Sequence, residues 1–295
     1  MTGQRQNRSG KGLLLMALGM FLFSAVDTTA KFLTDTLHPF QIVWVRQLGL
    51  LAGALILIGV HGLRVFKTTH PRLQVFRGAV ASCSAALFIF GVTYVPLADA
   101  VAISFVAPFM VTLMGALLLR EPVGIRRWTA VALGFVGALI VIRPGLGVVH
   151  PAAGFILLAA FFFAIRQVVS RAIADTDKTA TTIVYTAIVS ITLLSVPAFA
   201  VWTRPTGQEW VLLGLVAVVA AVAEICVIKA LELAMAVIVA PMQYTLILWG
   251  TFYGFVVFGQ FPDVWTWVGA AVIVVTGLYT LRREYVVSRA RGRET

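Results

Sequence analysis

Runs of about twenty apolar residues recur from one end of this chain to the other, and no other feature constrains its fold as strongly. LLLMALGMFLFSAVDTTAKFL, QIVWVRQLGLLAGALILIGV and GFILLAAFFFAIRQVV are examples. In a helix, roughly 20 such residues rise about 30 Å, the thickness of a bilayer's hydrocarbon core. Cutting the sequence at charges, Pro and Gly predicts ten spans: residues 12–34, 40–61, 72–95, 98–119, 127–143, 151–173, 180–202, 209–230, 235–258 and 264–281. The turn at TYVPLAD, between the third and fourth, is tight. Only 12% of the residues are charged and 60% are hydrophobic, whereas a soluble domain carries about a quarter charged residues. Charge this scarce leaves lipid as the solvent for much of the surface, so the expected fold class is an all-α integral membrane protein. The N-terminal apolar run imitates a signal peptide, but no small-x-small cleavage site follows it, and it reads as a retained first span.

The net charge of +11 does not point to nucleic acid. Basic residues sit in short clusters between apolar runs, without a basic helix face interleaved with aromatics. Such clusters orient membrane proteins. With the N-terminus inside, the cytoplasmic segments hold Arg5, Arg8 and Lys11; Arg64, Lys67 and Arg72; Arg120, Arg126 and Arg127; Arg171 and Lys178; and a tail with Arg282, Arg283, Arg289, Arg291 and Arg293. The outer connections offer little beyond Arg143 and Arg204, with Lys31 near an outer helix end. Both termini are therefore expected in the cytoplasm. Cys83 and Cys226 lie in apolar runs as small hydrophobes, and His38, His61, His70 and His150 lack ligand spacing, so neither metal nor cofactor is expected.

The chain also resembles itself. Aligning residues 118–144 with 257–283 sets Trp128 against Trp267, Ala132 against Ala271, Leu139 against Leu278 and Arg143 against Arg282; upstream, Gly115 meets Gly254. With slippage, LTDT (33–36) faces IADT (173–176). Each half holds five spans, so the second half must run through the membrane inverted. Inverted repeats are a signature of secondary transporters, whose substrate site lies near the midplane between the halves.

PLADAVAISFVAPFMVTLMGALLLREPVGIRRWTAVALGFVGALIVIRPG (96–145) resembles the first EamA repeat of the drug/metabolite transporter superfamily, and AMAVIVAPMQYTLILWGTFYGFVVFGQFPDVWTWVGAAVIVVTGLYTLRRE (234–284) resembles the second. The Ala-Pro and Glu-Pro elements of the first segment are the most specific part. The resemblance implies ten transmembrane helices in two inverted five-helix repeats, 1–145 and 146–284, with 285–295 a basic cytoplasmic tail. It also implies a central cavity in a bacterial inner-membrane protein that exports small metabolites, often amino acids, as in the family's amino-acid exporter branch. Gln260 departs from the pattern, standing where many members carry Glu, so no acidic role carries over to it.

Charges inside spans cost about 2.5–3.5 kcal/mol at a helix centre and usually face the bundle interior. Asp27 lies about 23 Å beyond Gly12, in the outer half of its span, and Arg46 reaches about 10 Å down from the outside. With Lys31 and Asp99 they compose an expected outer polar cluster. Glu224 lies about 23 Å along its span and Arg166 about 18 Å, both in the inner half; they compose an inner cluster. Such pairs suit an alternating-access machine, forming and breaking as one repeat rocks against the other. The plainer alternative is that Asp27 and Lys31 neutralise each other at i, i+4 while Lys31 snorkels to the surface.

Further candidates for a midplane cavity are Ser82, Ser84, Tyr94, Gln167, Tyr185, Gln243 and Tyr244. Gln243 and Tyr244 follow Pro241, which, like Pro108, withholds a backbone donor and frees a carbonyl. Phe88, Phe90, Phe105, Phe163 and Trp249 offer an apolar wall. Gly49 and Gly53, and Gly250 and Gly254, are small-xxx-small pairs suited to helix packing. The expected partners are membrane lipid and a small-molecule substrate, an amino acid or similar metabolite, with aromatic and apolar amino acids favoured by the resemblance. Two alternatives stay open: a nucleotide-sugar or cofactor-like substrate, and a non-transporting membrane enzyme or sensor. No HExxH, GxSxG or Walker A sequence supports an enzyme.

Overall fold

A computed structural model describes residues 2–118, 125–142, 150–173, 176–233 and 240–291. It is helical throughout, without strands among the described residues. In order, the helices are α1 (Thr2–Leu33), α2 (Pro39–His61), α3 (Pro71–Tyr94), α4 (Leu97–Ser104), α5 (Ala107–Leu118), α6 (Ile125–Ile142), α7 (Ala153–Ile173), α8 (Thr179–Ala200), α9 (Gly207–Leu233), α10 (Thr245–Phe258) and α11 (Val264–Arg291). Short 3₁₀ turns at Gly62–Phe66 and Ala240–Tyr244 follow α2 and precede α10. By length and composition seven segments can cross a membrane, and shorter apolar helices run over Trp128–Ile142, Met242–Phe258 and Val264–Tyr279.

The helix limits follow local chemistry. Pro39 and Pro71 open α2 and α3, where a missing N–H costs nothing. His38 caps α2 by accepting from the Phe40 amide. Gly259, in the left-handed region at φ 65°, ends α10. Where one span was expected over 98–119, the chain instead breaks between α4 and α5: the Phe105 and Val106 amides bond three residues back, to Ala102 and Ile103. Pro108 has no N–H for the Ser104 carbonyl, so the helix restarts at Ala107 with Pro108 in its first turn, where the missing donor is tolerated. The first helix starts earlier than residue 12, and α11 carries residues 285–291, expected as a tail, as continued helix. The expected repeat boundary at 145/146, Arg120, Arg143 and Asp175 lie outside the described residues.

Packing has a two-fold pattern. Helix α1 packs on α9 and α3 on α7; α2 packs on α8, α4 on α10, and α6 on α11. Exchanging each first-half element for the one at the same place in the second half (α1 for α7, α2 for α8, α3 for α9, α4 for the α10 segment, α6 for α11) leaves this set of contacts unchanged. The largest core cluster runs along these seams through Val101, Ile103, Phe105, Ile156, Leu213, Tyr244 and Ile273. Outward-facing side chains are as apolar as the core, with Val196 77% and Val211 72% exposed. An apolar exterior on this scale is a lipid-facing one.

Candidate functional site

Helix α1 turns a polar stripe inward. Ser24, Asp27, Thr28 and Lys31 are all buried, and their i, i+3, i+4, i+7 spacing places them on one helical face. Thr28 Oγ1 returns a hydrogen bond to the Ser24 carbonyl at 2.7 Å, but Asp27 and Lys31 reach away from α1 and in different directions. Asp27 meets Arg46 of α2, with Oδ1 3.5 Å from an Arg46 guanidinium nitrogen. The guanidinium also sits 5.9 Å from the Phe23 ring.

Lys31 neither neutralises Asp27 nor snorkels. Its Nζ donates to the Val92 and Val95 carbonyls at 2.7 and 2.6 Å. Those carbonyls close α3, and Pro96 supplies no N–H for Val92, so the ammonium takes the place of a missing backbone donor. The same ammonium lies 5.5 Å from the Phe258 ring at the end of α10, within electrostatic reach of Asp35 and Asp99. Asp99 Oδ1 accepts from Thr266 Oγ1 of α11 at 2.8 Å. This end of the bundle thus ties the first half to the second at several points. Glu209 accepts from Thr36, and Gln41, fully buried, exchanges hydrogen bonds with the Thr203 backbone.

Arg166 of α7 stacks over Phe163 at 4.6 Å, and its Nε is buried without a hydrogen-bond partner. Glu224 of α9 and Arg46 are the charges within its electrostatic reach, together with Arg77 of α3. Arg46 therefore links the expected outer and inner clusters into one chain of charges, Asp27–Arg46–Arg166–Glu224. Sequence reasoning missed Arg77, whose place inside the third span, beyond the orienting Arg72 at its start, was the available signal. Arg77 is committed to neutral partners, donating at 2.6 Å both to Ser170 and to Thr186.

The other candidates divide. Phe105 and Tyr244, at the two helix breaks, are 5.1 Å apart, so the α4–α5 break and the Ala240–Tyr244 turn face each other inside the bundle. Trp249 stacks edge-on against Phe21 at 5.1 Å, and its indole nitrogen is buried without a partner. Phe88 packs against the main core, and Gln167 is half-buried beside Arg166. Ser82 is fully buried and spends its hydroxyl on the Gly78 carbonyl and on Ser190; Ser84 bonds the Ala159 carbonyl. Both hydroxyls hold helices together. Tyr94 is 56% exposed and stacks on His150, apart from the buried charges. Gln243 is exposed, and Tyr185 bonds the Phe66 carbonyl beside the α2–α3 connection. In that region Asp177 gathers Thr68, the Thr69 amide and Gln74. The described residues include no group of three or more His, Cys, Asp or Glu placed to hold a metal.

Comparison with known proteins identifies what this architecture serves. The S-adenosylmethionine uptake transporter of Rickettsia felis is 25% identical over 275 residues, covering 92% of this chain and 94% of the relative. The riboflavin transporter of Vibrio cholerae is 31% identical over 205 residues, 69% of each chain. The pseudopaline exporter of Pseudomonas aeruginosa is 28% identical, covering 90% of this chain and 93% of its own. These relatives are named for metabolites other than free amino acids, so they do not single out the amino-acid exporter branch. A solved crystal structure matches with a TM-score of 0.63 at 15% identity, covering 93% of this chain and 98% of that one, a likeness of fold. The EamA-like transporter family matches residues 10–143 and 150–282. The chain is a multi-pass inner-membrane protein that belongs to the EamA-like transporter family, a membrane transporter of small metabolites.

Proposed function

We propose that this protein is a secondary transporter for amino acids, or for small metabolites built on an amino-acid end such as S-adenosylmethionine. It works by alternating access between two inverted five-span repeats with both termini in the cytoplasm. The observation that carries the reading is the line of charges between the halves: Asp27 and Arg46 come from the first, Arg166 and Glu224 from the second, and each second-half charge lies within reach of a first-half one. Charges of both signs inside lipid are expensive, and those that occur usually mark a substrate or ion path. A zwitterionic substrate end presents the complementary pair. The facing breaks at Phe105 and Tyr244 supply the backbone irregularity that such sites use. No nucleotide-binding loop is available, so a gradient or exchange drives the movement.

Counterflow into proteoliposomes tests this directly, with radiolabelled phenylalanine, leucine, methionine, S-adenosylmethionine and riboflavin as the panel. Accumulation of an amino acid or S-adenosylmethionine supports the reading. Accumulation of riboflavin alone would replace it with the flavin-type alternative that the Vibrio cholerae relative favours. Silence across the panel, from protein shown to be folded and inserted, would end it.

A further inference from the structure

The buried charges do not balance. Three guanidiniums and two carboxylates form one linked set: Asp27 pairs with Arg46, Arg46 and Glu224 lie within electrostatic reach of Arg166, and Arg77 lies within reach of Arg166 and Glu224. Asp27 is engaged with Arg46. Arg77 is held by two hydroxyls. Arg166 is left with the Phe163 ring beneath it and a buried Nε that donates to nothing. A guanidinium is a planar fork of five donors matched to a carboxylate, and an unsatisfied buried donor costs about 1–3 kcal/mol, more when charged. An aromatic platform under the fork fixes its plane and leaves the outer edge free for a ligand. Arg166 as a whole is half-buried rather than fully enclosed.

We propose that Arg166 is the carboxylate-binding residue of this transporter, that the site accepts a ligand carrying one carboxylate, and that Glu224 receives the ligand's cationic group. This deepens the transporter reading and rests on it. One carboxylate gives the unsatisfied Arg166 fork a matched planar acceptor, and the ligand's cationic group gives Glu224 a counter-charge. A zwitterion satisfies both Arg166 and Glu224 and enters without net charge. Arg77, tied to Ser170 and Thr186, acts as a positioning residue that keeps the local field positive and holds α3 against α7 and α8.

The test is binding to the purified full-length protein, read as ligand-dependent thermal stabilisation, with probes in matched pairs: methionine and its methyl ester, phenylalanine and phenethylamine, S-adenosylmethionine and its decarboxylated form. At least one acid is expected to bind ten-fold or more tightly than its carboxylate-free partner. Arg166→Gln is expected to erase that difference, and Arg166→Lys to restore part of it. Equal binding of both members of every pair that binds would overturn the proposal. So would discrimination that survives in Arg166→Gln, or a folded parent protein that binds none of the acids. Counterflow is measured on the same preparations. Binding with discrimination but without counterflow supports the site and sinks the transporter reading, so the two failures are told apart.

Discussion

At the scale of single residues, the Asp27–Arg46 pair is the sharpest case of a charge whose partner decides its worth. Removing one member of a buried pair strands the other, at about 3–5 kcal/mol, whereas removing both is far milder. Asp27→Asn and Arg46→Gln are each expected to lower the thermal midpoint of the purified protein markedly, and the double variant to recover most of the loss. Independent, additive losses would show that the pair is not coupled. Asp177, in the connection before α8, behaves as a pH-dependent tie. Burial works to raise its carboxyl, but hydrogen bonds from Thr68, Gln74 and the Thr69 amide, together with the nearby His70, hold it below the ordinary carboxylate range. A carboxyl depressed in the folded state contributes stability that is fully present above its unfolded value and is lost as pH falls through the folded one. The contribution should therefore fade below about pH 4. Between about pH 7 and pH 3 the thermal midpoint should fall more steeply in the parent than in Asp177→Asn; identical pH dependence would refute the tie.

At the scale of elements, sequence patterning located the apolar helices well and their contacts poorly. Both Gly49–Gly53 and Gly250–Gly254 were legible as packing pairs, yet only one member of each meets a neighbouring helix closely. A Cβ on Gly49 would fall 2.0 Å from the Ala217 carbonyl of α9, while Gly53 has nothing within 4 Å. Gly49→Ala is expected to destabilise the protein by about 1–3 kcal/mol through overpacking. Gly53→Ala should be nearly neutral, within about 0.5 kcal/mol. Denaturant or thermal unfolding of the two variants side by side decides this, and equal effects would show that the α2–α9 contact is looser than described. The break between α4 and α5 was half legible: Pro108 announces a lost hydrogen bond, but a kinked continuous helix and a true interruption look alike until the neighbouring turn is seen. Lys31 was legible as a charge near an outer helix end and illegible as a donor to α3. Nothing in α1 reports that Pro96, sixty-odd residues on, leaves a carbonyl vacant.

At the scale of the whole molecule, the two halves are joined where α1 ends and α9 begins. Thr36 donates to Glu209 there, and Asp99 accepts from Thr266 close by. An alternating-access cycle must part this seam once per turnover. Thr36→Cys with Glu209→Cys, in a background with Cys83→Ala and Cys226→Ala, should lose counterflow on oxidation and regain it on reduction. Unimpaired counterflow through quantitatively cross-linked protein would mean that the halves do not separate at this end.

Membrane residence and helical class were present in the sequence, because each rests on composition or on periodic pattern, and the family was legible through the segments and the Ala-Pro and Glu-Pro elements that resemble it. Apolar runs must be helical in lipid, where every backbone group needs an internal partner. The presence of buried charges was visible for the same reason, since any charge inside such a run is conspicuous. Their grouping into an Asp27–Arg46 and an Arg166–Glu224 cluster was legible too, but not how the members pair and link. Asp27 had Lys31 one turn away and chose Arg46 of another helix; Arg166 was matched to Glu224 without Arg77 or the link through Arg46. Those choices depend on how α1, α2, α3, α7 and α9 are rotated and stacked, which packing across the bundle fixes and no single helix encodes.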